Sequence, residues 1–164
     1  MVIKEITQRR SLRDYKSKPV SDADILEIIK AAQFAPSAKN IHPIEFIVIK
    51  DKTMKEKIFK IVGQEYIKEA PVLIMPVSDT KKSTFSLEDL SIASGYIFLQ
   101  ATSLGLGTVW KHIHEEEKDP IRSLLDIPPH YTFTNLIPVG FPNEKLPGHV
   151  DSEFDKKKIH WEKF

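Results

Sequence analysis

DLSIASGYIFLQATSLGLGTVW, Asp89 to Trp110, decides the fold. No charged residue occurs from Leu90 to Trp110, close to the roughly 20 residues that a membrane-spanning helix needs. Ser91, Ser94, Gly95, Gln100, Thr102, Ser103, Gly105, Gly107 and Thr108 make it too polar for lipid. It reads instead as a helix buried on most sides, in a core or against a second subunit. Leu90, Ala93, Ile97, Ala101 and Leu104 form its stripe, Ser86 and Asp89 have capping-box spacing at its start, and Gly105 is placed to end it. Leu106 to Trp110 then reads as a strand leaving a Gly-rich turn.

Upstream, Ile3 to Arg9 reads as a short helix, and Ser21 to Phe34 as the clearest one. Ser21 and Asp24 have capping-box spacing, Ile25, Ile28, Ile29 and Ala32 share a face, and Pro36 stops the helix. Pro36 to Pro43 is an ordered loop. Glu45 to Lys50 and Pro71 to Val77 are strands, Lys52 to Ile61 is a helix, and Gln64 to Glu69 a short second one. Downstream, Asp119 caps a short helix with Pro120 at its first position, and Tyr131 to Val139 is a strand. This order predicts a single domain over residues 1–164, with helices and strands alternating without a strict βαβ rhythm and at most four strands in a mixed sheet covered by helices. Four is few for 164 residues. The polar tail from Asn143 carries Val150, Phe154, Ile159, Trp161 and Phe164, which need a surface to pack on, and a partner's tail could complete the sheet.

Composition narrows the chemistry. A formal net charge of +1 gives no global basic field for nucleic acid. The absence of cysteine excludes disulfides, Cys-ligated zinc, iron–sulfur clusters and thiol catalysis, and fits a reducing cytoplasm. A cytoplasmic protein with no membrane or nucleic-acid partner is expected. His112 and His114, followed by Glu115 to Glu117, read as a solvated loop in preference to a metal site.

Charge is concentrated locally near the start, where Lys4, Arg9, Arg10, Arg13, Lys16 and Lys18 face only Glu5 and Asp14. Within Arg9-Arg10-Ser11-Leu12-Arg13, guanidinium forks and a hydroxyl suit phosphate oxygens; the alternative is a solvated basic turn. Pro36-Ser37-Ala38-Lys39-Asn40 lets a flat ligand approach the backbone, with Asn40 offering both donor and acceptor; the alternative is an ordinary helix-ending loop. Gly105-Leu106-Gly107-Thr108 allows close backbone approach but is neither a dinucleotide fingerprint nor a phosphate loop.

Taken in order, RRSLRDY, AQFAPSAKNIHPIEFIVI, EAPVLIM, DLSIASGYIFLQATSLGLGTVW, IPPHYTFTNLIPVGFP and FDKKKIHWEKF resemble the nitroreductase family of flavoproteins, in its short subgroup. The resemblance implies an α+β fold, a three-layer α/β/α sandwich with a mixed, mainly antiparallel sheet. It also implies a homodimer that exchanges terminal segments and holds FMN at the subunit interface. Arg9, Ser11 and Arg13 match positions for the FMN phosphate and ribityl chain, with Arg10 as helper. Pro36, Ser37 and Ala38 match the segment beneath the isoalloxazine, and Asn40 a polar contact to it. Leu106, Gly107 and Thr108 match the turn near N5, and Gln64 falls near a contact to the pyrimidine ring.

The implied activity is ping-pong hydride transfer from NADH or NADPH, through FMN, to a small acceptor such as a nitroaromatic or quinone. No protein nucleophile is needed, and none stands out. The alternatives are a flavin-binding protein with little turnover and a phosphate-binding or structural module. The chain departs from the family pattern at His42-Pro43-Ile44, where Gln-Pro-Trp is common. It departs again at Glu153, where many members carry an Arg or Lys that closes on the phosphate; His149 or Lys145 could substitute.

Overall fold

The computed structural model describes residues 1–164. Six α-helices, α1 (Lys4–Gln8), α2 (Asp22–Gln33), α3 (Lys52–Val62), α4 (Glu65–Glu69), α5 (Ser86–Ser103) and α6 (Glu115–Leu124), surround a six-stranded sheet. Its strands are β1 (Ile44–Ile49), β2 (Val72–Asp79), β3 (Gly107–Thr108), β4 (Lys111–His112), β5 (Tyr131–Thr132) and β6 (Asn135–Gly140). The main path runs β1-β2-β6-β3, with β4 on β6 and β5 on β2. Every ladder is antiparallel, and the one parallel pairing is an isolated bridge between Ser11 and Thr108.

The alternation of side chains along β2 makes the three layers. Leu73, Met75 and Val77 point into one core with Ile58 and Val62 of α3, Ile67 of α4 and Ile121 of α6. Val72 and Ile74 point the other way, into a core with Ile25, Ile28 and Ala32 of α2 and Ala93, Ile97 and Ala101 of α5. β2 is buried along its whole length, so it must be apolar on both faces, as a central strand requires. It nevertheless contains Pro76. β6 covers Val72 to Ile74 and β5 covers Ser78 and Asp79, so Pro76 falls between them. Pro138 of β6 likewise falls between the β4 pairing at Leu136 and the β3 pairing at Val139. Each proline sits where the ladder on one side is interrupted, so its missing N–H leaves no partner strand short there.

The α+β class, the sandwich and the main elements agree with the sequence. Several local expectations are corrected. The sheet has six strands, because β3, β4 and β5 are two residues each and too short to carry a periodic signal. Leu106 to Trp110 is strand only at Gly107 and Thr108, and Tyr131 to Val139 is broken at Phe133 and Thr134. The helix expected from Asp119 begins at Glu115, which leaves Pro120 in its interior. The Glu117 carboxylate accepts from the His114 backbone N–H at 2.8 Å and fixes that earlier start. Ser86 does not cap α5. Its hydroxyl donates to the Ser83 carbonyl at 3.0 Å, while Ser83 Oγ accepts from the Phe85 N–H at 3.1 Å.

No helix is long and apolar enough to cross a membrane. Beyond His149, whose N–H donates to the Thr7 carbonyl at 2.7 Å, the tail has no buried residue. Phe154, Trp161 and Phe164 are 63%, 80% and 106% exposed, so this subunit does not supply the surface they need. Ile3 just before α1, Ile6 on α1, and Ile92 and Tyr96 on α5 are also exposed. β1 pairs with β2 alone, which leaves its outer edge free.

Across the face of β2 from β1, the Tyr131 hydroxyl of β5 donates to Glu45 at 2.5 Å. The hydrogen bond, with burial second, pushes the phenol up to about 12. A raised acid contributes stability that is present below its ordinary pKa, near 10, and lost as pH rises through about 12. Glu45→Gln is expected to return the Tyr131 titration toward 10, read from the NMR shift of its ring; an unchanged titration would remove Glu45 as the cause.

Candidate functional site

The basic segment leaves α1 in extended form and runs beside β3. The Leu12 N–H donates to the Thr108 carbonyl at 2.9 Å, and Ser11 bridges Thr108. Gly107 makes this approach possible, since a Cβ there would stand 2.3 Å from Leu12 Cδ1 and 3.0 Å from Leu12 Cβ. Extended chain alternates its side chains, so Leu12 turns toward the sheet while Ser11 and Arg13 lie on the exposed side. Neither Arg9 nor Arg13 is paired with a carboxylate. The Arg13 guanidinium lies 5.9 Å from the Tyr66 ring centre, which sets it beside α4, whose N-cap is Gln64. Ser11, Gly107 and Thr108 therefore gather at one place, with Arg9 and Arg13 two residues to either side of Ser11, and Arg13 beside the helix that Gln64 caps.

Leu106 and Thr108 belong to this place by backbone only. Leu106 is buried in the α2–α5 core, and the Thr108 side chain is 2% exposed.

Arg10 stands apart from the other two arginines. It lines an open cleft of about 1030 Å³ with Lys4, Lys16, Lys145 and His149. There His149 Nδ1 lies 2.5 Å from Glu153 Oε2 and 3.3 Å from Arg10 Nη1. With Nδ1 carrying its proton toward Glu153, that nitrogen cannot also accept from Arg10. The His149 hydrogen bond, followed by one from the Val150 N–H, holds the Glu153 carboxyl below the usual range. Glu153 is thus taken up by His149.

Pro36 to Asn40 forms a separate half. Pro36 and Ser37 line a cavity of about 160 Å³ with Gln33, His42 and Ile44. The loop turns sharply: Lys39, Asn40 and His42 have φ of 54°, 57° and 51°, a left-handed region that side chains with Cβ enter at a cost. Three contacts hold it there. The His42 N–H donates to Ser37 Oγ at 2.8 Å, and His42 Nε2 meets Asn40 Oδ1 at 2.8 Å. The Ala38 N–H donates to Asp89 Oδ1 at 2.8 Å. Asp89 is 2% exposed, and its second oxygen accepts from Ser83 Oγ at 2.9 Å. The sequence marked Asp89 only as a capping residue of α5.

Elsewhere, the His112 and His114 rings meet edge-on with centroids 5.2 Å apart. Lys111 Nζ reaches both Glu117 oxygens, at 3.0 and 2.9 Å, with the two residues 7% and 8% exposed. That pair ties β4 to α6.

A helix-covered antiparallel sheet, with a basic segment laid along a glycine strand and two arginines of that segment free of carboxylate partners, is the frame of the candidate site. The sequence profile of the nitroreductase family matches residues 6–69 and 59–141, and the chain belongs to that family. A Methanothermobacter thermautotrophicus protein, provisionally named NADH dehydrogenase/NAD(P)H nitroreductase, is 40% identical, the match covering 99% of this chain and 87% of the relative. An FMN reductase [NAD(P)H] of Bacillus subtilis is 31% identical over 88% of this chain and 67% of its own length. The solved structure of an FMN-dependent nitroreductase from Clostridium difficile superposes with a TM-score of 0.93 at 35% identity, covering 99% of this chain and all of that one.

Proposed function

We propose that the chain is an FMN-dependent NAD(P)H oxidoreductase that reduces a small acceptor such as a nitroaromatic or a quinone. The observation that carries this is the unpaired Arg9 and Arg13 beside the Ser11–Thr108 bridge, in a chain of this family. Two guanidinium groups without carboxylate partners, next to a hydroxyl, fit a phosphate monoester, and Gly107 brings the backbone within reach.

FMN, when bound, supplies the two-electron chemistry between NAD(P)H and acceptor. The protein's part is placement. Arg9 and Arg13 neutralise the phosphate, and Ser11 adds a donor. The Pro36 to Ala38 backbone offers a flat, small-residue platform. Asn40, with its carbonyl engaged by His42, keeps its amide N–H groups free to donate to a ring edge.

The platform and the arginines line different parts of this subunit, and a second copy of the chain would bring one set against the other. Exposed Ile92 and Tyr96 on α5, the free edge of β1 and the apolar tail residues support such a homodimer. The low-turnover alternative drew on Glu153 opposing the phosphate; with that carboxylate turned to His149, the reductase is favoured.

The test is the visible spectrum of the protein with added FMN, followed by anaerobic NADH or NADPH. A flavin band that bleaches, and returns when a quinone is added, is the expected result. A band that persists would leave a flavin carrier, and no bound flavin would remove the assignment.

A further inference from the structure

We infer that Asp89 is a positioning residue that sets the shape of the Pro36–Asn40 platform without touching its ligand. Its carboxylate is buried, lies on a different element from the loop, and spends one oxygen on the Ala38 N–H at 2.8 Å. The other oxygen accepts from Ser83 Oγ, which itself accepts from the Phe85 N–H. No lysine, arginine or histidine pairs with Asp89.

A buried carboxylate without a cation is costly unless its oxygens are well bonded. Here the bonds come from the Ala38 N–H of the loop and from Ser83 Oγ in the connection between β2 and α5. The residues that follow are strained: Lys39, Asn40 and His42 all have positive φ. Such a run persists only when its surroundings over-determine it. Ser37 Oγ and Asn40 Oδ1 bind His42 from within the loop, so Asp89 supplies the external hold in this set. Ser86 braces the arrangement, donating to the Ser83 carbonyl while Ser78 Oγ of β2 donates to Ser86 Oγ at 3.0 Å. The platform is thereby referenced to the central strand and to α5, and not merely to its own turn.

The assignment of a ligand to the platform rests on the proposed FMN function; the hold on Ala38 does not, and the two are read separately. Amide hydrogen exchange at Ala38 and FMN affinity by fluorescence quenching are compared in wild type, Asp89→Ala and Asp89→Asn. The asparagine keeps an oxygen acceptor for Ala38 and removes the charge. In Asp89→Ala, Ala38 exchange is expected to rise at least about tenfold above the change at Ile74 of β2, the loss of a protecting bond worth roughly 1.4 kcal/mol or more. FMN affinity falls about tenfold with it. Asp89→Asn restores both to within about threefold.

The inference is overturned if Asp89→Ala leaves Ala38 exchange unchanged, or raises it only in step with Ile74, which would make Asp89 a general stability residue. It is also overturned if Asp89→Asn behaves like Asp89→Ala. If the wild type binds no FMN, the function fails, while the exchange data still decide whether Asp89 holds the loop.

Discussion

Arg13→Glu is expected to leave the protein unable to retain FMN, with the dissociation constant raised about 100-fold or more. Losing one charge-assisted hydrogen bond costs about 1.5–3 kcal/mol, and a carboxylate set against a phosphate adds repulsion; each 1.4 kcal/mol is a factor of ten. The fold should survive, because Arg13 is exposed, has no salt bridge and lies 5.9 Å from the Tyr66 ring centre. Arg13→Lys keeps the charge without the planar fork and should fall between the two. Fluorescence titration with FMN, beside a circular-dichroism control, decides the matter. An Arg13→Glu protein that still holds one FMN per chain would remove Arg13 from the phosphate site.

Glu117→Ala should produce the largest loss of stability, about 3–5 kcal/mol, because it leaves the Lys111 ammonium buried without its partner. At roughly 2–4 °C per kcal/mol for a domain of this size, the melting temperature drops on the order of 10 °C. The carboxylate also caps α6 through the His114 N–H, so the helix start loosens together with β4. A double replacement, Lys111→Met with Glu117→Leu, removes both charges and should recover much of the loss, since a well-packed apolar pair is often as stable as a buried ion pair. Thermal melts of the three proteins test this. A single variant that melts within about 2 °C of wild type would mean that the pair is solvated in solution.

The contrast between these two sites shows what one-dimensional sequence carries. Arg9, Ser11 and Arg13 stood out because basic residues and a hydroxyl cluster there in a chain that is otherwise nearly neutral. α2 was legible because its cap and apolar face repeat over twelve residues. Lys111 and Glu117 were not, because a buried ion pair looks like two surface charges until the fold removes the water. Asp89 failed for a related reason. Its spacing from Ser86 satisfied a local capping rule, and the local rule lost to a longer-range demand, the Ala38 N–H 51 positions away. The two-residue strands escaped because they have no period; they exist only because β6 and β2 offer them an edge. Pro120 misled because proline marks helix starts in general, whereas here the Glu117 carboxylate had already started the helix.

Pro76 has a consequence for how the molecule is made. On a ribosome, β1 and β2 emerge together and can pair at once, while β6 is still to be synthesised. During that interval Val72, Leu73 and Ile74 present an open, apolar strand edge, the kind of surface that recruits other chains. An uninterrupted run from Val72 to Val77 would be a six-residue template for such pairing. The proline cuts it short, because a strand adding to that edge meets a position with no N–H to offer. The nascent half of the protein thus carries its own guard against aggregation, placed where the finished sheet leaves the ladder open.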